Sequence, residues 1–322
     1  MTRKIDISHK TVIFITLFFL GLWVIYHVLD LILLLFVGLI LMSALSPIVN
    51  FFQNLKIPKA LSILFVYIIL IGILTGLLTI SFTPLVEQTT KLIFTLPSVL
   101  SETFKISNFD LTFFKEQLPN LSESIFSITR AIFDNFITII FLLVITFYLL
   151  MGRSNLEEKT ASLFVGREEQ VKNLIVQLEE KLGAWFRGQL FLSFIIGILT
   201  YLGLLVLQIP YALPLAILAG FMEVVPVIGP IISAIPAIIL AFAISPVLAG
   251  GVAALYFVIQ QLENHLIVPQ VMTRAVGLNP LVVILAIALG GRLLGIGGAL
   301  LAVPIVVVMQ VIFLEVVKER SS

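Results

Sequence analysis

The 322-residue chain has no cysteine, which excludes disulfides, thiolate metal sites and cysteine nucleophiles. It is also poor in charge: Asp, Glu, Lys and Arg make up 11% of the residues and sum to a net +1, so there is no overall pull toward nucleic acid. Catalytic and nucleotide signatures are missing too. There is no Gly-x-x-x-x-Gly-Lys-Ser/Thr loop, no His-Glu-x-x-His, no Gly-x-Gly-Asp and no Ser/His pair within the apolar segments. These absences argue against an ATP-driven pump and against an intramembrane enzyme, so any coupling is expected to be to an ion gradient, with no organic cofactor.

What is abundant is apolar surface. Hydrophobic residues are 60% of the chain and the mean hydropathy is +1.18, which defines an all-α polytopic membrane protein whose first partner is the lipid bilayer. Arg3, Lys4 and Lys10 ahead of an apolar run to Leu29 imitate a signal peptide. The run is too long and no small-residue cleavage pattern follows, so it reads as a retained first span. Six full spans are expected: Thr11 to Leu29, Leu31 to Asn50, Ala60 to Leu85, Ala131 to Met151, Gln189 to Leu207 and Val247 to Val268, with Asp30 in a tight turn between the first two.

Two further apolar stretches, Ala212 to Ile244 and Leu278 to Val317, share one punctuation. Pro214 is followed fifteen residues on by Gly229 and seven later by Pro236; Pro280 is followed fifteen on by Gly295, and Pro304 comes seven after Gly297. Breaks at Pro226, Gly229 and Pro230 in the first copy, and at Gly295, Gly297 and Gly298 in the second, leave arms too short for independent spans. Both copies are therefore read as re-entrant hairpins, with eight or more ordinary spans as the alternative.

Charge sets the orientation. Arg3, Lys4, Lys10, Lys56, Lys59, Arg153, Lys159, Arg167, Lys172, Lys181 and Arg187 alternate with connections that carry no cationic excess, Val86 to Arg130 having four Lys or Arg against five Asp or Glu, which places both termini in the cytoplasm and inverts the two span-plus-hairpin units relative to one another. The organisation that follows is scaffold spans over 1–86, an extracytoplasmic amphipathic segment over 87–130, span four over 131–152, a cytoplasmic amphipathic helix over 153–188, and a transport core over 189–320. The Phe-rich stretch from Ser101 to Ser127 offers a surface for a homo-oligomer.

A few polar residues sit at membrane depth. Glu223, three residues before Pro226, is costly there unless protonated, paired or bound to a cation. Gln260, Glu263 and Asn264 stand at i, i+3 and i+4 near the end of span six and share a helical face. Carboxylate and amide oxygens suit sodium or a proton better than a transition metal, so Glu223 and Glu263 are the candidate sodium ligands and no other metal site is expected. Arg292, at the second hairpin tip, is a candidate for an anionic substrate group or a partner for Glu223 or Glu263. His265 reads as a headgroup or backbone contact.

Arg187-Gly188-Gln189, Glu223-x-x-Pro226-x-x-Gly229-Pro230, Gln260-x-x-Glu263-Asn264 with Pro269, Leu278-x-Pro280, and Gly295-x-Gly297-Gly298 before Ala302-Val303-Pro304 occur in this order. In these motifs the chain resembles the AI-2E family, the autoinducer-2 exporter and PerM-like permease group of bacteria and archaea, over essentially its full length. The resemblance implies a cell-membrane secondary transporter that moves a small polar solute such as autoinducer-2 or exchanges sodium for protons as an antiporter. The rival expectation is a membrane scaffold or regulatory protein without transport activity, since the amphipathic helix over 153–188 could recruit a partner.

Overall fold

A computed structural model describes residues 9–80, 136–226, 228–275 and 277–321. The described residues are almost wholly helical: α1 (His9–Asn54), α2 (Lys59–Ile80), α3 (Phe136–Ser162), α4 (Glu168–Val206), α5 (Ala212–Met222), α6 (Ile228–Ile244), α7 (Pro246–Leu262), one turn of π-helix (Glu263–Ile267), α8 (Val268–Ala275) and α9 (Pro280–Ser321). Six stretches are long and apolar enough to cross a membrane: His27–Asn54, Lys59–Ile80, Phe136–Ser162, Glu168–Val206, Pro246–Val271 and Leu281–Lys318. The chain is a multi-pass membrane protein. The Phe-rich segment and the ends of the expected third and fourth spans lie outside the described residues.

The six differ from the expected set at both ends. The turn expected at Asp30 is not made: α1 runs unbroken for 46 residues, about 69 Å at about 1.5 Å per residue, more than twice the hydrocarbon core. The reason is local. No glycine or proline occurs between Leu22 and Val37, and one aspartate among strong helix formers does not interrupt the hydrogen-bond ladder. The chain does reverse after α1, at Leu55-Lys56, where Lys56 takes φ 65°. Likewise α4 runs unbroken across residues 188 and 189, joining the amphipathic segment to the fifth span as one 39-residue helix.

The second broken stretch contributes the sixth crossing-length element, yet it is folded back on itself. Leu294 (φ −132°) and Gly295 (φ 63°) leave the helical region, and a Cβ built on Gly290 would lie 2.3 Å from the Gly298 carbonyl oxygen. Residues eight apart in a straight helix are about 12 Å apart, so the two arms of α9 lie against each other. The arm before the tip, 280–293, is about 21 Å long at about 1.5 Å per residue and cannot cross alone. Ahead of it, the Asn279 side chain accepts from Leu281 N–H at 2.9 Å and Pro280 opens the helix, a polar cap followed by the residue that needs no donor.

The long helix α4 is the hub, packing against α1, α3, α5, α7, α8 and α9. Three apolar clusters fill the contacts. Met42, Val49, Ile63 and Leu150 join α1, α2 and α3. Leu204, Leu215, Ala237 and Val252 join α4 to the first hairpin and α7. Ile40, Trp185, Ile287 and Val303 join α1 and α4 to both arms of the second hairpin, with Val225 of the first hairpin's tip packed on them.

Candidate functional site

Glu223 ends the short helix α5, and Val224, Val225 and Pro226 lead out of it ahead of α6. Pro226 cannot donate within this turn. Gly229 completes it: a Cβ there would stand 2.0 Å from the Met222 carbonyl oxygen and 2.9 Å from the Glu223 nitrogen, so only glycine lets the two arms meet so closely. Further along, Ser233 donates to the Pro230 carbonyl at 3.0 Å, and the Tyr256 hydroxyl reaches the Ser233 carbonyl at 3.4 Å, tying α7 to α6.

The motif Arg187-Gly188-Gln189 turns out to be a bracket with two arms. Pro47, inside α1, has no N–H for the carbonyl of Ser43 four residues earlier. Arg187 Nη1 donates to that orphaned oxygen at 3.2 Å, and Gly183 leaves room for it, since a Cβ there would lie 2.6 Å from the same atom. Two residues on, buried Gln189 donates through Nε2 to the Glu223 main-chain carbonyl at 2.6 Å, satisfying an acceptor that the end of α5 leaves open. One turn of α4 thus anchors α1 on one side and the first hairpin tip on the other.

The Glu223 side chain is fully buried, and neither carboxyl oxygen has a hydrogen-bond partner among the described residues. The group that faces it is the carboxyl of Glu263, itself 3% exposed. Gln260 Nε2 donates to Glu263 Oε2 at 3.0 Å, fixing one of its oxygens. Glu263 opens the π-helical turn, and such turns, rare elsewhere, are frequent at functional sites. The pair lies at membrane depth. Gln189 is ten residues along α4 from Glu179, which is ion-paired with Arg153 at 2.6 Å at the polar end of the bundle; ten residues of helix are about 15 Å.

Glu223, Gln260 and Glu263 are therefore brought together from two elements far apart in sequence. Asn264 is exposed and does not join them. The wide turn that starts at Glu263 carries five residues where an α-turn carries fewer, so the i, i+3, i+4 face expected of a regular helix is lost after Glu263. Arg292 is exposed on the second hairpin tip and forms no ion pair with Glu223 or Glu263. Pro226, Gly229 and Pro230 stand at the first break as expected. In the second, Gly295 makes the turn, Gly298 the close approach, and Gly297 faces open space. Sequence reasoning overlooked Gly290 as the partner of Gly298 and Gln189 as a tether. Gln189 carried a signal, an amide at the start of an otherwise apolar run.

Two buried carboxyls in contact, with no cationic side chain paired to either among the described residues, cannot both be ionised unless a cation lies between them. A shared proton or a bound monovalent cation satisfies the oxygens that the protein leaves bare. Among the described residues no third acid or histidine converges on the pair.

A family model described as AI-2E family transporter matches residues 12–318. The chain belongs to the AI-2E transporter family. Among its relatives, a Bacillus subtilis protein named "Putative transport protein YueF" is 29% identical over 306 residues, covering 87% of this chain and 82% of its own length. A second B. subtilis protein of that designation, YrrI, is 26% identical over 309 residues, covering 89% of this chain and 87% of its own. A Mycobacterium tuberculosis relative is 46% identical over 110 residues, 32% of this chain and 29% of its own. Family membership and these names make the chain a transporter by kinship, and the polar pair lies within the matched residues.

Proposed function

We propose that this AI-2E family member is a secondary transporter of the cell membrane in which the Glu223–Glu263 pair holds a proton or a sodium ion. Occupancy of the pair is coupled either to movement of a small polar solute such as autoinducer-2 or to sodium–proton exchange. The observation that carries the reading is the contact between two buried carboxyls, one of which, Glu223, receives no side-chain or backbone N–H among the described residues. A scaffold gains nothing from an arrangement that costs several kcal/mol when charged. For an ion-coupled carrier it is a reversible store of one positive charge.

Alternating access would follow from the hairpins. Both are short, glycine-pinned elements packed on α4, and Val225 of the first touches the cluster built on the second. A movement of either tip changes which side reaches the pair. In this reading the end bearing Lys56, Lys59 and Arg153 faces the cytoplasm by the positive-inside rule. Proteoliposomes carrying a sodium or pH gradient test the proposal. Glu223→Gln should abolish ion-coupled flux while eluting as wild type by size exclusion, and wild-type flux in that variant would sink the carboxylate mechanism.

A further inference from the structure

Away from the carboxyl pair, a cavity of about 330 Å³ opens where α1, α2 and α3 come together. Its floor is apolar, Val49 and Leu150, both buried. Its walls are polar and follow from helix register. Ser46 and Asn50 are one turn apart on α1. Arg153, Ser154 and Glu157 succeed Leu150 along one face of α3, and Lys59 is the first residue of α2. This is the level at which the apolar run of α3 gives way to charge, the boundary between hydrocarbon and water.

The lining is rich in hydrogen-bond donors that the protein itself does not use. Ser46, Asn50 and Ser154 make no side-chain hydrogen bond among the described residues. Lys59 Nζ touches only the Met151 carbonyl, at 3.3 Å, and has no acid partner among them. Arg153 holds Glu157 at 3.2 Å and Glu179 at 2.6 Å through Nε in both cases, so its two terminal nitrogens keep their hydrogens. One turn beyond Asn50, Gln53 Nε2 is buried without an acceptor. The cavity's one carboxylate, Glu157, is already engaged by Arg153.

We propose that this cavity binds a phosphate group. Two cationic side chains, two hydroxyls and an amide converge on a space of the size that takes a small ligand, about 300 Å³ and upward. Phosphate oxygens are the acceptors such a donor set fits best. At a membrane boundary that phosphate comes from one of two sources: the headgroup of an anionic phospholipid, with its acyl chains along exposed Phe51 and Leu64, or a phosphate-bearing solute from the aqueous side.

Purified full-length protein, exchanged into detergent with either phosphatidylglycerol or phosphatidylcholine, can be weighed intact with its retained lipids. In parallel its melting temperature can be followed in inorganic phosphate against chloride at equal ionic strength. Lys59→Gln and Ser154→Leu, the second filling the cavity by volume, are each expected to lower phosphate-group binding at least fivefold. Lys56→Gln, three residues from Lys59 and outside the lining, should leave it within twofold. Retained phosphatidylglycerol without a response to inorganic phosphate identifies the lipid source. A melting shift in phosphate, with displacement of phosphatidylglycerol, identifies the soluble one. Equal retention of the two lipids together with no phosphate shift, or equal losses in Lys56→Gln and Lys59→Gln, would overturn the assignment.

Discussion

Gly297 and Gly298 are neighbours in one helical arm, and the fold assigns them opposite sensitivities. A Cβ on Gly298 would meet the Gly290 carbonyl oxygen at 2.1 Å, whereas one on Gly297 would find nothing within 4 Å. Ordinary contact begins at 3.4 Å, so Gly298→Ala has to part the hairpin arms by about 1.3 Å, and the atom met first is backbone, which cannot swing aside. Overpacking against unyielding atoms costs about 3 kcal/mol at the upper end of its usual range. Alanine's better helix propensity returns about 1 kcal/mol. The net loss, about 2 kcal/mol, is roughly a thirtyfold shift in the folded-to-unfolded ratio. Gly297→Ala keeps the propensity gain alone and should be neutral or stabilising by up to about 1 kcal/mol. Gly295→Ala has open surroundings, but φ 63° with ψ −146° is close to a region essentially only glycine occupies, and holding an L-residue there costs about 1–3 kcal/mol. Melting of the purified variants, followed by the surviving size-exclusion peak after heating, should place Gly297→Ala at or above wild type and both Gly295→Ala and Gly298→Ala below it. If Gly298→Ala melts with wild type, or Gly297→Ala falls as far as Gly298→Ala, the arms do not touch in this way and the hairpin assignment fails.

Three other outcomes follow from the geometry. Glu263→Gln removes one member of the facing pair, so ion-coupled flux in proteoliposomes should fall at least tenfold while thermal stability holds or rises by about 1 kcal/mol, because a buried acid is replaced by an amide; undiminished flux would contradict a shared site. Arg292→Gln should leave both flux and melting close to wild type, as the side chain is exposed and has no acid partner among the described residues; a tenfold flux loss would show that the second hairpin tip engages the transported species. Glu179→Gln breaks the 2.6 Å contact with Arg153 that braces α3 against α4, at a cost of about 1 kcal/mol that should shrink in high salt; a salt-independent loss would point to packing instead.

The membrane class and both hairpins were readable because each rests on a strong local signal. Apolar runs declare themselves by composition, and Pro226, Gly229, Gly295 and Gly298 interrupt them where the backbone has to turn. Glu223 and Glu263 stood out for the same reason: a carboxyl in hydrocarbon needs an explanation. What could not be read is pairwise. That Gly290 opposes Gly298, or that Arg187 serves a carbonyl bared by Pro47 a hundred and forty residues earlier, depends on helix packing that no local pattern encodes. Span counting failed at α1, where charge alternation demanded a reversal near Asp30 and the helix ladder, with no breaker to interrupt it, ran on. Asn264 illustrates a finer failure: face assignment assumes a regular α-helix, and one widened turn is enough to separate it from its neighbour Glu263.

The two hairpins are alike in punctuation and unlike in chemistry, and the difference bears on how such a protein would work. The first break contains an acid, its carbonyl tethered by Gln189 and its side chain set against Glu263. The second break, Leu294-Gly295, contains none, and the charged residue nearest it, Arg292, is exposed and forms no ion pair with either acid. Duplication of the backbone device has therefore not duplicated the site. For the alternating access proposed above, a single carboxyl pair between two hairpins would suffice, because two equal sites would let an ion cross without waiting for the solute or the counter-ion. The asymmetry also fixes where coupling has to be generated. Glu263 belongs to the α7 end, Glu223 to the hairpin, and α4 holds the hairpin through one amide. In the proposed mechanism, a displacement of the first hairpin tip that separates the acids would also strain the contact between Gln189 and the Glu223 carbonyl, which would link the occupancy of the pair to the position of the hairpin.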